Sequence, residues 1–325
     1  MFINILGGKI MYYPFLRGKQ FELILLRENA KLLKANNIHP VIEPVKSEFK
    51  ALERALKVLN TENVNCTLII NPNAGSNPVT IKKIQEELIN QNIKDHKNLS
   101  IGFILSTKSS LSDLTDLLKT YPNFDFSIVH YGYTNGKEVA NTIQEYANIK
   151  RHVFIDGYAG KLYQRHLKKD GVNRILIRDG FKSQKKNSLY PPSEHFSDLH
   201  ITYTDEGMNG FGNFLIVGNE YNETGVPVYP IVIHLTYLDE DDDMFIYHFI
   251  SDQTDSPTDP GGKFLEALGK LNRAIEKSDS YIFKSKACKE YQELYEKQHF
   301  PGLGYVKKLS MQHHIELIAD FFKKY

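Results

Sequence analysis

Apolar and polar positions along this chain alternate between two rhythms. Short runs rich in β-branched and aromatic residues recur at 12–15, 41–45, 66–71, 101–106, 126–130, 153–156, 174–178 and 214–217. They are nearly continuously apolar, as strands covered by helices must be. The segments between them have helical period. Phe49, Leu52, Leu56 and Leu59 fall on one helical face, as do Ile81, Ile84 and Leu88, and again Leu111, Leu114 and Leu118, with Lys, Glu and Asn elsewhere. Ser110 followed by Asp113 resembles a capping box. Eight strands alternating with helices predict a TIM-like (β/α)8 barrel. The competing open, doubly wound sheet would place a glycine-rich turn after its first strand, where this chain has Arg17-Gly18-Lys19. The glycine cluster Gly207, Gly210 and Gly212 precedes the expected eighth strand instead of opening a helix.

Beyond that strand the pattern changes. Segments 228–238 and 244–251 read as a hairpin around the acidic tip 239–243, which lacks EF-hand spacing. A Pro/Gly/Ser/Asp loop is expected over 252–262, then an amphipathic helix carrying Phe264, Ala267, Leu268, Leu271 and Ile275, and a last helix near 313–322. The expected organisation is an N-terminal extension over 1–10 and one barrel domain over 11–325, with 228–325 as its hairpin and helical extension. Met11 is a candidate start, because the regular pattern begins just after it.

Composition narrows the class. Forty Lys and Arg against 39 Asp and Glu leave no basic field for nucleic acid, and no helix-turn-helix, RRM or OB signature is found. Cys66 and Cys288 are isolated, with no Cys/His cluster of zinc spacing, which fits a reducing cytoplasm. No apolar run is long enough to span a bilayer.

Barrel chemistry gathers at the C-terminal ends of the strands. The residues expected there are Arg17 and Lys19, Glu43 and Lys46, Asn71 with Asn73, Ser106, His130 with Tyr131, Asp156, and Arg178, Asp179 and Lys182. Arg17, Lys19, Lys46, Asn71 and Arg178 are candidate ligand contacts, and Glu43, His130, Asp156 and Asp179 candidate acid–base groups or holders of a divalent cation. Each also has a structural reading. Glu43 pairs with Arg178, Lys46 or Arg17, or Arg17 pairs with Glu22; His130 is a satisfied core histidine; Asp156 and Asp179 form turns before glycine. Several barrel chemistries are disfavoured. Strand one has no HxH for an amidohydrolase metal centre, no core strand carries a Schiff-base lysine, and strand four ends in Ser106 where a glycosidase carboxylate would stand. Leu16-Arg17-Gly18 with Glu43 echoes the glycerophosphodiester type of barrel only in part, since Leu16 replaces the catalytic histidine.

The stretch Met11-Tyr-Tyr-Pro-Phe-Leu-Arg-Gly-Lys-Gln-Phe-Glu-Leu23 resembles the opening of the bacterial and phage "beta protein" family. Val41-Ile-Glu-Pro-Val45, Ile233-His-Leu-Thr-Tyr237 and His248-Phe-Ile-Ser-Asp252 fit the same resemblance. That family is functionally uncharacterised and phage-associated, so the resemblance implies a part in phage–host conflict but carries over no catalytic residue. Two expectations follow. One is a barrel that binds or processes an anionic, phosphorylated or nucleotide-like molecule at its mouth, as a hydrolase or lyase if it is an enzyme. The other is a non-catalytic, protein-binding component of a phage-defence complex, with the hairpin, the 184–198 loop and the C-terminal helices as interface. The 181–195 segment, with Lys182, Lys185, Lys186 and Tyr190, is a candidate lid over the mouth, a nucleic-acid contact or a solvated loop.

Overall fold

A computed structural model of the chain describes residues 12–75, 78–221, 229–253 and 256–324. The expected extension over 1–10, the candidate start Met11 and the first residue of the expected hairpin lie outside them. The chain divides into two compact units, one of residues up to Arg178 with Thr202–Asn213, the other of Asp179–Ile201 with Phe214–Tyr325.

The first unit is a closed parallel barrel. Its strands are β1 (Tyr12–Leu16), β2 (Val41–Ile42), β3 (Cys66–Ile69), β4 (Leu99–Leu105), β5 (Asp125–His130), β6 (Ile149–Ile155) and β7 (Asn173–Ile177). After β8 (Ser193–Ser197), which belongs to the other unit, β9 (Gly210–Asn213) pairs with both β7 and β1 and closes the ring. The helices between strands are α1 (Gln20–Glu28), α2 (Ala30–Ala35), α3 (Lys50–Thr61), α4 (Ile81–Ile84), α5 (Leu111–Thr120), α6 (Gly136–Ile143) and α7 (Lys161–His166). The expected stripes are the buried ones: Leu52, Leu56 and Leu59 of α3 pack inward, as do Leu114 and Leu118 of α5. Ser110 caps α5 by accepting from the Ser112 amide at 3.2 Å. After α4 the chain winds as a π-helix over Gln85–Ile93, which sets Ile84 with Ile89 and Leu88 with Ile93 on one face, all four buried.

The eighth strand is not where the apolar run placed it. Phe214–Val217 form a turn in which Leu215 has a φ of 52°, and the strand is the glycine-containing segment before it. Glycine is required there by closure itself. A Cβ on Gly212 would lie 2.1 Å from the Tyr13 carbonyl oxygen on β1. Gly102 plays a similar part inside the barrel, where Thr67 of β3 and Ser127 of β5 meet at 3.2 Å across it. A Cβ on Gly102 would lie 2.4 Å from Ile69 Cδ1.

The second unit holds a three-stranded sheet in the order β10 (Val232–Leu238), β11 (Met244–Ile250), β8. The expected hairpin is present. The expected 184–198 loop is corrected, because its second half is β8, antiparallel to β11. Its Ser-Glu-His-Phe-Ser sequence buries only Phe196 and Ser197 and so reads as polar loop. The short α8 (Leu199–Thr202) follows β8. The helices α9 (Pro260–Glu276), α10 (Lys286–Glu296) and α11 (Leu303–Phe321) complete the unit. The expected final helix thus starts ten residues earlier than 313, and α10 was not expected. Ile233 and Leu235 pack with Phe264, Leu268, Leu271 and Tyr291 in the core beneath one sheet face. Thr236 points the other way and meets His314 Nδ1 at 3.0 Å.

Candidate functional site

Two sectors of the barrel mouth carry the charges read from the sequence. In the first, Gly18 turns the chain after β1 with a φ of 62°. This lets the amides of Arg17 and Lys19 donate to the buried Glu22 carboxylate at 2.6 and 3.3 Å. Burial pushes the Glu22 pKa up, against the pull of those amides and of the Lys19 and Arg17 charges. The Arg17 guanidinium lies over the Phe15 ring at 5.0 Å and pairs with Glu43, which is 1% exposed. The second Glu43 oxygen accepts from the amides of Asn73 and Ala74 at 2.6 and 2.8 Å. Both carboxylate oxygens are therefore committed, and Glu43 ties β1, β2 and the loop after β3 into one frame. Asn71 is committed as well. Its side chain donates to the Ile104 carbonyl at 2.8 Å and accepts from the Ile104 amide at 2.7 Å, extending the β3–β4 ladder. Lys46 is exposed and makes no ion pair among the described residues.

In the second sector, Asp156 after β6 accepts from Arg178 Nε at 2.6 Å, just past β7. Arg178 Nη2 also reaches Glu206 at 3.4 Å, and Glu206 pairs with Lys161 at the start of α7. The Lys161 hydrogen bond, helped by the Arg178 charge, pulls the Glu206 pKa down. Tyr158, two residues after Asp156, has its ring 4.3 Å from that of Tyr131. Tyr158 is 49% exposed and Leu162, next to Lys161, is 70% exposed. Glu206, Lys161 and Leu162 were not among the residues singled out from the sequence. Glu206 lies in an irregular segment with no periodicity to mark it. The others belong to a helix of six residues, too short for a stripe.

Two expected mouth residues stand elsewhere. His130 is fully buried, with Nδ1 2.7 Å from the Tyr163 hydroxyl and Nε2 2.9 Å from His152 Nδ1. Tyr163 belongs to α7, so alternation along β5 turns this ring toward the helical layer and not toward the mouth. Its core reading holds, and burial together with His152 keeps its pKa well below the ordinary value. Asp179 belongs to the second unit. It accepts from the amides of Phe181 at 3.0 Å and Asn219 at 2.7 Å, the turn-forming role.

Among the described residues, no three His, Cys, Asp or Glu side chains are grouped to hold a metal ion. No described helix is long and apolar enough to cross a membrane. No family model matches the chain, and no curated protein does. Among solved structures, it is similar to a protein assigned to the dihydrodipicolinate synthase family from Coccidioides immitis. The two are 8% identical, with 95% of this chain and 85% of that one covered and a TM-score of 0.45. It is also similar to a noncanonic maltogenic alpha-amylase from Thermotoga neapolitana, 9% identical over 69% of this chain and 72% of that one, with a TM-score of 0.40. Likenesses this distant say nothing about chemistry.

Proposed function

We propose that the barrel binds an anionic, nucleotide-like small molecule on the β5–β7 side of its mouth. The observation that supports this most is the placing of Arg178 and Lys161 on the solvent side, with the exposed Tyr158 in the turn that carries Asp156. The two sectors differ in what exchange would cost. Removing one partner of a buried pair such as Arg17–Glu43 costs about 3–5 kcal/mol. Partly exposed pairs are worth about 0–1 kcal/mol each. A phosphate can therefore replace Asp156 or Glu206 as partner of Arg178 or Lys161 at little cost, with Arg178 presenting a planar fork. Tyr158 supplies a face for a base or sugar ring. The anion contact expected at Arg17 and Lys19 moves, in this reading, to Arg178 and Lys161.

The test is thermal unfolding against a panel of nucleotides and sugar phosphates. A ligand at about 100 times its dissociation constant adds about 2.7 kcal/mol of stability. The gain is expected in the wild type and in Lys46→Ala, and lost in Arg178→Ala and Tyr158→Ala. Equal gains in all four proteins, or none in the wild type, would overturn the reading.

One observation favours a second reading, a non-catalytic protein-binding component. Apart from Lys46, the mouth charges described above are paired with one another, and Leu189, Tyr229 and Tyr281 of the second unit are exposed. Its phage-linked setting rests on the resemblance of the opening motif alone. Pull-down with a Leu189→Asp/Tyr229→Asp variant as control separates it from the first.

A further inference from the structure

The hairpin sets His234 directly opposite His248. On the same sheet face, one strand further, Glu194 of β8 reaches His248. The result is a row of three side chains across the sheet. Glu194 Oε1 lies 3.1 Å from His248 Nε2, and His248 Nδ1 lies 2.7 Å from His234 Nδ1. The other Glu194 oxygen is 3.6 Å from the Lys182 ammonium.

Hydrogen-bond chemistry gives the row one direction. A carboxylate only accepts, so His248 donates from Nε2. The neutral His248 ring then has a lone pair at Nδ1. The two facing Nδ1 atoms share one proton, so His234 carries it and donates. That leaves the lone pair of His234 on Nε2, which has no hydrogen-bond partner among the described residues. Aromatic rings pack against both imidazoles. Tyr190 packs on His248 at 4.6 Å and on His234 at 4.9 Å, and Phe181 packs on His234 at 5.0 Å. His248 is closed off at 1% side-chain exposure, whereas His234 at the end of the row is partly open to solvent.

We propose that the second unit carries an acid–base site of its own, in which Glu194 and His248 orient His234 as a base acting through Nε2 on an anionic small molecule. The proton leaves an acidic O–H of the ligand for His234 Nε2, and the ligand keeps the electron pair. The imidazolium so formed still donates from Nδ1 to His248, and the Glu194 carboxylate offsets its charge through that ring. This is the logic by which a buried carboxylate fixes the tautomer of a catalytic histidine. Lys182 pairs with the Glu194 oxygen that does not face His248. Lys307, exposed on α11, is a cation whose charge acts on His234, which favours an anionic ligand there. Burial, His248 and Lys307 together keep His234 neutral at neutral pH, so that a lone pair is present at Nε2. Both motifs that carry the family resemblance at 233–237 and 248–252 contribute a histidine to this row, although neither was read as chemistry from the sequence.

The first measurement needs no variant. Nitrogen chemical shifts of the histidine rings are expected to show His234 protonated at Nδ1 and His248 at Nε2. The opposite tautomer at His234 would overturn the proposal. The second uses diethyl pyrocarbonate, which acylates neutral, reachable imidazole nitrogens, with the modified residues located by peptide mass mapping. His234 is expected to react while His248 stays protected. Relative to the exposed His166 of the barrel, its rate is expected to fall several-fold in Glu194→Gln and in the presence of inorganic pyrophosphate. A His234 that does not react, or reacts equally fast in Glu194→Gln, would overturn the relay. Undiminished reaction with pyrophosphate present would overturn the anionic ligand.

Discussion

Each unit contains a pair of histidines in ring-to-ring hydrogen bonding, and the two pairs differ in how they end. In the barrel the row runs Tyr163, His130, His152, and in the sheet it runs Glu194, His248, His234. A tyrosine hydroxyl both donates and accepts, so the barrel row is satisfied with its protons pointing either way. A carboxylate accepts only, so the sheet row has one polarity and delivers a lone pair at its far end. The lesson is that geometry between two imidazoles does not make a reactive site. What matters is whether one end of the row is an obligate acceptor and the other end is reachable.

The largest test of this contrast is truncation. His130→Ala opens a cavity in the core and strips partners from Tyr163 and His152, and is expected to cost about 2–4 kcal/mol in denaturant unfolding. His234→Ala, at a partly open end, is expected to cost under about 1.5 kcal/mol. Equal costs would mean that the sheet row is simply core, like the barrel's.

Acid comes next. Burial holds His152 down to about 4, ahead of the charges of Arg174 and Lys169, and holds His313 to about 4 as well. An unfolded histidine titrates near 6.5, so below that pH the unfolded chain binds protons that the native one refuses. The contribution of these groups is complete above about pH 6.5 and is lost as pH falls toward 4. Chemical denaturation at steps between pH 7 and 4 should show falling stability throughout that window, and a flat profile would contradict the buried neutral state. His152→Phe is expected to flatten the barrel's share.

Gly102→Ala is expected to cost about 1–3 kcal/mol by overpacking between β3 and β5. The smallest expected effect is at the rim, where Lys161→Ala should change stability by under about 1 kcal/mol because its side chain is 69% exposed. A larger loss there would count the rim row as framework and weaken its reading as an exchangeable ligand contact.

Much of the architecture was legible because burial on both strand faces writes itself as continuous apolar runs, and helix faces as stripes. The eighth strand was not, since closure requires glycines where a strand pattern would show side chains. The strand β8 was hidden because its residues alternate among serine, histidine and glutamate on a sheet edge. Of the charged mouth residues, Arg17 and Glu43 form one of the several pairs that the sequence allows. Asn71 was not seen as a ladder extension, because that role depends on the register of β3 against β4. The His234–His248 contact was within reach of the sequence. A turn over 239–243 fixes Leu238 opposite Met244, and counting back four residues on each strand brings the two histidines face to face. Between the mouth and core readings of His130 the sequence does not decide, because its neighbours in the chain say nothing about α7.

The closing contact between β1 and β9 has a consequence in time. Tyr12 and its partner Asn213 are 201 positions apart in the chain. At a synthesis rate of about 5–20 residues per second, the first strand waits roughly 10–40 s on the ribosome before its last neighbour exists. During that wait Tyr-Tyr-Pro-Phe-Leu is an apolar strand with an open edge, the kind of segment that templates aggregation. Pro14 removes one ladder donor from the middle of it. A Pro14→Val chain would therefore give less soluble protein when expressed fast than when expressed slowly, while the finished barrel tolerated the change.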